Sequence, residues 1–251
     1  MRLDRFLSEL NIGTRSQVKS ALRQGLVTVN GLTERDAGRR IDELSDRVCF
    51  QGRSLHYRKF VYYMLNKPAG VVSATRDNTA ETVVSLLGED ALRDIFPVGR
   101  LDKDTTGLLL LTNDGELSHR LLSPKRHVDK VYRVTIEHPL SEEEKTGLEQ
   151  GVDIMEESHS MEEGHSHAGA CPGEAVWHTL PARVEILSDR EILLTIHEGK
   201  FHQVKRMLRA VGNRVLALER VGFGGLVLDQ GLKPGEYREL TEQEVDSLHE
   251  A

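Results

Sequence analysis

Leu3, Phe6, Leu7 and Leu10 recur at intervals of three and four, so the chain opens on an amphipathic helix. Val18, Ala21 and Leu22 repeat the pattern in a second helix that Thr14 can cap and Gly25 ends. A strand follows at residues 26–29, closed by Asn30-Gly31, the pair favoured by a two-residue hairpin turn. Residues 44–59 are polar and weakly patterned. A junction near Arg58 therefore divides the chain into a small unit, 1–58, and a larger one, 59–251.

In the larger unit apolar runs predict strands at 60–65, 108–111, 131–136, 182–186, 191–196, 215–218 and 226–228. Helical spacing predicts helices over 82–87, 116–122 and 142–150, and a further one in which Val204, Met207 and Leu208 share a face. Residues 232–237 read as a terminal turn. The four leucines 108–111, bounded by Gly107 and by Asn113-Asp114-Gly115, describe a buried strand. Residues 153–178 break the pattern: glutamates, His159, His165, His167, His178 and Cys171 stand among small residues, and the low hydrophobicity predicts a mobile surface insertion.

Composition narrows the possibilities only where it departs from the ordinary. Hydrophobic residues at 38% and charged ones at 29% of 251 suit a globular protein. There is no long apolar span and no charged-then-apolar leader, so a cytoplasmic monomer without membrane contact is expected. Cys49 and Cys171 are far apart and give no disulfide framework. The histidine-rich stretch lacks a C-x-x-C pair or H-x-x-x-H spacing, so no metal is expected there. A net charge of -7 argues against indiscriminate polyanion binding. Yet Arg2, Arg5, Arg15, Lys19, Arg23, Arg35, Arg39 and Arg40 make the small unit locally basic, which fits either a solvated face or a phosphate-binding one.

The candidate chemistry lies at residues 99–115, GRLDKDTTGLLLLTNDG, where Arg100, Asp102 and Asp104 occupy the loop feeding the leucine strand. A buried strand fixes such a loop while leaving its carboxylates reachable, so it is either a solvated turn or a catalytic one. Lys67, in Asn66-Lys67-Pro68, reads from its residues alone as a solvated turn lysine. Tyr132 is core filler on strand grounds alone.

The 99–115 segment resembles the signature of the RsuA family of pseudouridine synthases, GRLD-x-x-[TS]-x-GL. Residues 64–70 (MLNKPAG), Lys130-Val131-Tyr132 and residues 199–207 (GKFHQVKRM) match further family landmarks. Residues 1–31 resemble an S-four-like RNA-binding domain. The resemblance implies an α+β protein: a small basic S-four-like domain, then a larger, mainly antiparallel-sheet catalytic domain. It implies an rRNA pseudouridine synthase, working without a cofactor on ribosomal RNA or a subunit assembly intermediate. Asp102 would be the catalytic acid, Tyr132 would pack on the target base, and Arg206, with Lys205 as the second choice, would be the cation beside Asp102. Arg100 would fill the gap left by the flipped base, Lys67 would support the site or contact RNA, and Arg15, Lys19 and Arg23 would contact RNA. The wording at 104–107 and 117–124 is closer to the small-subunit members, so 16S rRNA is the expected substrate. The alternatives are a 23S enzyme of the same family, a non-catalytic rRNA-binding assembly factor, and a metal-dependent phosphate hydrolase using Asp102 and Asp104.

Overall fold

The computed structural model describes residues 1–43, 45–55, 59–90, 94–155 and 176–250. In the small unit, α1 (Leu3–Glu9) and α2 (Arg15–Arg23) precede β1 (Val27–Val29), β2 (Leu32–Thr33), β3 (Val48–Phe50) and β4 (Arg53–Leu55). The strands form an antiparallel sheet in the order β2-β1-β3-β4. Leu3, Phe6, Leu7, Val18 and Leu22 from the helices share one core with Val27, Val29 and Val48. Thr14 caps α2 in a reciprocal pair with Gln17. The polar stretch after residue 44 conceals β3 and β4. Gln51 and Gly52 take φ of 48° and 81°, as Asn30 and Gly31 take 53° and 81°, so a second tight turn joins two strands too short for alternation to reveal.

The larger unit contains β5 (Tyr62–Lys67), β6 (Phe96–Pro97), β7 (Thr106–Thr112), α3 (Gly115–Leu122), β8 (Lys130–Ile136) and α4 (Glu142–Gln150). These are followed by β9 (Asp153–Met155), β10 (Val176–His178), β11 (Arg183–Ser188), β12 (Glu191–Ile196), α5 (Gln203–Ala210), β13 (Val215–Phe223), β14 (Leu226–Val227), β15 (Tyr237–Glu239) and α6 (Glu242–Glu250). Nine strands make one sheet along the path β11-β12-β8-β13-β7-β5-β15, with β14 and β6 added beside β13 and β7. The leucine strand β7 is buried on both faces. Leu109 and Leu111 join the core that holds Val134, Ile192 and Met207, while Leu108 and Leu110 join the core that holds Leu117, Leu121 and Leu248. An unbroken leucine run is what such a position requires.

Every pairing in this sheet is antiparallel except that of β13 with β7. That junction explains Gly107, whose φ is 96° and where a Cβ would lie 2.3 Å from the Arg220 carbonyl oxygen. Only glycine lets the two backbones close there. The loop 99–105 is thereby anchored against β13.

Three expectations need correction. Residues 82–87 form a bridge at Thr82 and then a 3-10 turn from Ser85, since β-branched Thr82-Val83-Val84 followed by Gly88 suits extended chain better than α-helix. The chain ends in α6 rather than in the turn expected at 232–237, with Thr241 and Glu244 forming a capping box. The two ends of the segment 153–178 form paired strands, β9 and β10. The remainder of the expected insertion, including His159, His165, His167 and Cys171, lies outside the described residues. No helix among the described residues is long and apolar enough to cross a membrane.

Candidate active site

Asp102 lies on the loop that enters β7, and four internal ties hold that loop. The Ser73 hydroxyl donates to the Leu101 carbonyl at 2.8 Å and receives the Leu101 N–H at 3.0 Å. Gly70 N–H reaches the Lys103 carbonyl at 2.8 Å, and Thr105 N–H the Asp102 carbonyl at 3.1 Å. Lys67 sits beneath, 0% exposed, with Nζ 2.9 Å from the Thr105 carbonyl, 3.1 Å from that of Pro68 and 3.3 Å from that of Lys103. Burial pulls its pKa down to about 8. Lys67 therefore has no surface to offer RNA. It braces the loop, which corrects its expected place among the RNA contacts.

Asp102 opens into a cavity of about 260 Å³. Arg100 and Gly99 lie beside it, Lys130 and Tyr132 come from β8, Ile196 from the end of β12 and His197 to Lys200 from the chain after it, His202 and Val204 from the start of α5, and Leu218 and Arg220 from β13. Asp102 and Tyr132, chosen from the sequence, thus share one cavity wall, and Arg100 shares it too. Tyr132 is 8% exposed, held by the core on one side and open to the cavity on the other.

The cation beside the acid is that of Lys205, not Arg206. Lys205 Nζ is 3.5 Å from Asp102 Oδ2 and also binds both carboxylate oxygens of Asp104, at 2.7 and 2.8 Å. Arg206 is buried, its Nη1 donates to the Phe201 carbonyl at 3.0 Å, and it does not line the cavity. Neighbours on a helix point about 100° apart, so one step in sequence exchanges a contact with the two aspartates for an internal one. Asp104 faces the same lysine as Asp102 because the segment is a turn rather than extended. Burial pushes the Asp104 pKa up, but the hydrogen bond and the charge of Lys205, with smaller help from His202, together outweigh it and hold the carboxyl below its usual range.

Two site residues were not anticipated. His202, at the start of α5 with φ of 49°, brings Nε2 to 3.6 Å from Asp102 Oδ1 while its ring stacks on Phe201 at 3.7 Å. Arg220 is 2% exposed, with Nε donating to the Leu108 carbonyl at 2.8 Å, and it stands opposite Tyr132 across the β13–β8 pairing. Among the described residues no three of His, Cys, Asp and Glu converge as metal ligands.

In the small unit Arg15, Lys19 and Arg23 lie at steps of four on α2, all exposed, and none forms an ion pair among the described residues. Arg2, Arg5 and Arg39, counted with them as basic, are instead paired with Asp4, Glu9 and Glu34. The positive stripe is thus narrower than the composition suggested.

A nine-stranded mainly antiparallel sheet thus sets Asp102 near a tyrosine and a lysine, behind a small unit of helices and strands, and comparison with known proteins shows the class to which this arrangement belongs. The RNA pseudouridylate synthase family model matches residues 61–210, and the S4 domain model matches residues 1–48. The chain belongs to the RNA pseudouridylate synthase family. It is 45% identical to an uncharacterized RNA pseudouridine synthase, YtzG, of Bacillus subtilis, over 100% of this chain and 99% of that protein. It is 41% identical to ribosomal small subunit pseudouridine synthase A of Vibrio cholerae, and 39% identical to the Escherichia coli protein of the same name. In each case 99% or more of both chains is covered. A crystal structure of a pseudouridylate synthase, 38% identical, superposes with a TM-score of 0.64 over 99% of both chains.

Proposed function

We propose that this enzyme isomerises one uridine of small-subunit ribosomal RNA to pseudouridine, in the cytoplasm, with Asp102 as the reacting carboxylate. The observation that carries the reading is that Asp102 and Tyr132 share one cavity while the Lys205 ammonium stands 3.5 Å from the Asp102 carboxylate. The full-length relatives named for the small ribosomal subunit favour 16S over 23S rRNA.

The division of labour follows the two units, with the boundary near Arg58. Arg15, Lys19 and Arg23 supply salt-sensitive contact with phosphates. The target nucleotide must leave its stack, and Arg100 at the cavity edge is placed to occupy the gap. Tyr132 packs on the displaced uracil. Asp102 acts on the nucleotide as nucleophile or base, beside a cation that offsets the cost of closing a carboxylate into a filled pocket. The C1′–N1 bond breaks, the base turns, and C5 takes the place of N1. No cofactor is needed, because the product is an isomer of the substrate.

The test is Asp102→Asn, assayed by mapping pseudouridine in 16S and 23S rRNA from cells carrying either form, alongside RNA binding. Product should vanish while binding stays within a few-fold. Normal isomerisation by the variant would overturn the assignment of Asp102, and a modified position found only in 23S rRNA would overturn the substrate.

A further inference from the structure

We propose that Arg220 is a further catalytic residue, the group that carries the negative charge of the uracil while it is detached from ribose. The inference rests on the pseudouridine synthase reading above. Arg220 lies on β13 almost wholly out of solvent and lines the cavity. The Leu108 carbonyl fixes its Nε, Tyr132 stands opposite it on β8, and its guanidinium stands 4.9 Å from the Phe223 ring centroid. Its Nη2 has no acceptor within the protein, and no carboxylate pairs with it among the described residues. A buried cation with an unused donor and no counter-ion is costly to keep. Such a group fits a site where an acceptor arrives and, for part of the cycle, carries charge.

The reaction supplies that acceptor. When the C1′–N1 bond breaks, its electron pair leaves with the base, and the uracil becomes an anion whose charge is shared among N1, O2 and O4. C5 then bonds to C1′ and loses its proton, N1 takes one up, and the sequence closes without oxidant or co-reactant. A guanidinium donor facing a uracil oxygen gains most while that oxygen is anionic, so it lowers the barrier more than it strengthens binding. Other cations near the site are engaged elsewhere, Lys200 with its Nζ 3.9 Å from the Trp177 ring centroid. Lys205 is held by the two aspartates, and Lys130 Nζ donates to the Val128 carbonyl at 2.9 Å. Arg220 is the cross-strand partner of Tyr132, so the surface on which the uracil packs and the donor for its charge stand side by side on neighbouring strands.

The experiment compares Arg220→Gln and Arg220→Lys with wild type in single-turnover reactions on small-subunit rRNA carrying either uridine or 5-fluorouridine at the modified position. Loss of the N-linked nucleoside is followed after nuclease digestion. Fluorine at C5 makes the departing base a better anion, so cleavage should lean less on Arg220. Arg220→Gln should slow cleavage of uridine on the order of 10²-fold, with that defect shrinking by about tenfold or more on 5-fluorouridine and RNA affinity changing less than about threefold. Arg220→Lys, which keeps the charge, should retain more activity and show a smaller difference between substrates. Should circular dichroism show that Arg220→Gln does not fold, the same comparison with Arg220→Lys decides. Equal defects on the two substrates, or none, would overturn this inference alone, whereas failure of the wild type to isomerise uridine would overturn the enzyme reading with it.

Discussion

The two basic regions of this acidic chain use positive charge in opposite ways. Around Asp102 the cations are immobilised: Lys67 is buried among three carbonyls, Arg220 is tied to the Leu108 carbonyl, and Lys205 bridges two carboxylates. On α2 the exposed charges of Arg15, Lys19 and Arg23 form no ion pair among the described residues. Fixed charge costs desolvation and returns preorganisation at a reacting atom. Solvated charge costs little and returns affinity that salt can screen. Reaction and grip should therefore fail separately.

The sharpest separation comes from Asp102→Asn, which should lower single-turnover isomerisation on the order of 10³-fold or more with little change in RNA affinity. Next in size is the contrast between neighbours on α5. Lys205→Met should lower the rate by about 10²-fold, because the ammonium beside Asp102 is lost. Arg206→Met removes a buried bond to the Phe201 carbonyl, so it should lower the melting temperature while leaving the rate of the folded fraction nearly unchanged. Reversed outcomes for the pair would return the role to Arg206. The triple variant Arg15→Ala, Lys19→Ala, Arg23→Ala should leave the single-turnover rate at saturating RNA intact. Its affinity should fall about tenfold, and the slope of log K against log salt should flatten by about two to three. An unchanged slope would remove α2 from the RNA interface.

How far these features could be read from the chain depends on what local pattern records. The leucine strand, the Asp102 loop and the β8 strand were legible because burial on both faces and alternation leave marks in residue type. The choice between Lys205 and Arg206 was not, since both are cations on one helix and only the packing of α5 against the Asp102 loop decides which one reaches it. Arg220 left a faint mark. It shares strand parity with buried Leu218, and an arginine at an inward position calls for a partner. The helix α6 was announced by Thr241 and Glu244, a capping pair that the weak apolar pattern after it obscured. His202 lay inside a recognised motif, but its approach to Asp102 depends on the left-handed turn at the start of α5.

The smallest expected effect on catalysis belongs to Lys67, which touches no substrate and tests whether fixed charge in this region carries the penalty argued for it. Burial lowers its pKa from 10.5 to about 8 in the folded protein. Between those values the unfolded chain holds a proton that the folded chain has lost, so the contribution of this residue to stability rises with pH across the window. Below about pH 8 both states are charged and the burial penalty is present in full. Lys67→Met removes the titration along with the hydrogen bonds to the Pro68, Lys103 and Thr105 carbonyls, so the variant should be the less stable protein. Its deficit relative to wild type should widen from pH 8 towards 10.5, at most about 1.4 kcal/mol per pH unit. Lys130, also lowered to about 8 by burial, titrates in both proteins and cancels from the difference. Urea unfolding of the two proteins at several pH values measures that difference directly. Parallel stability curves would mean that Lys67 is not buried as a charge, and that the Asp102 loop is held by Ser73 and Gly70 without it.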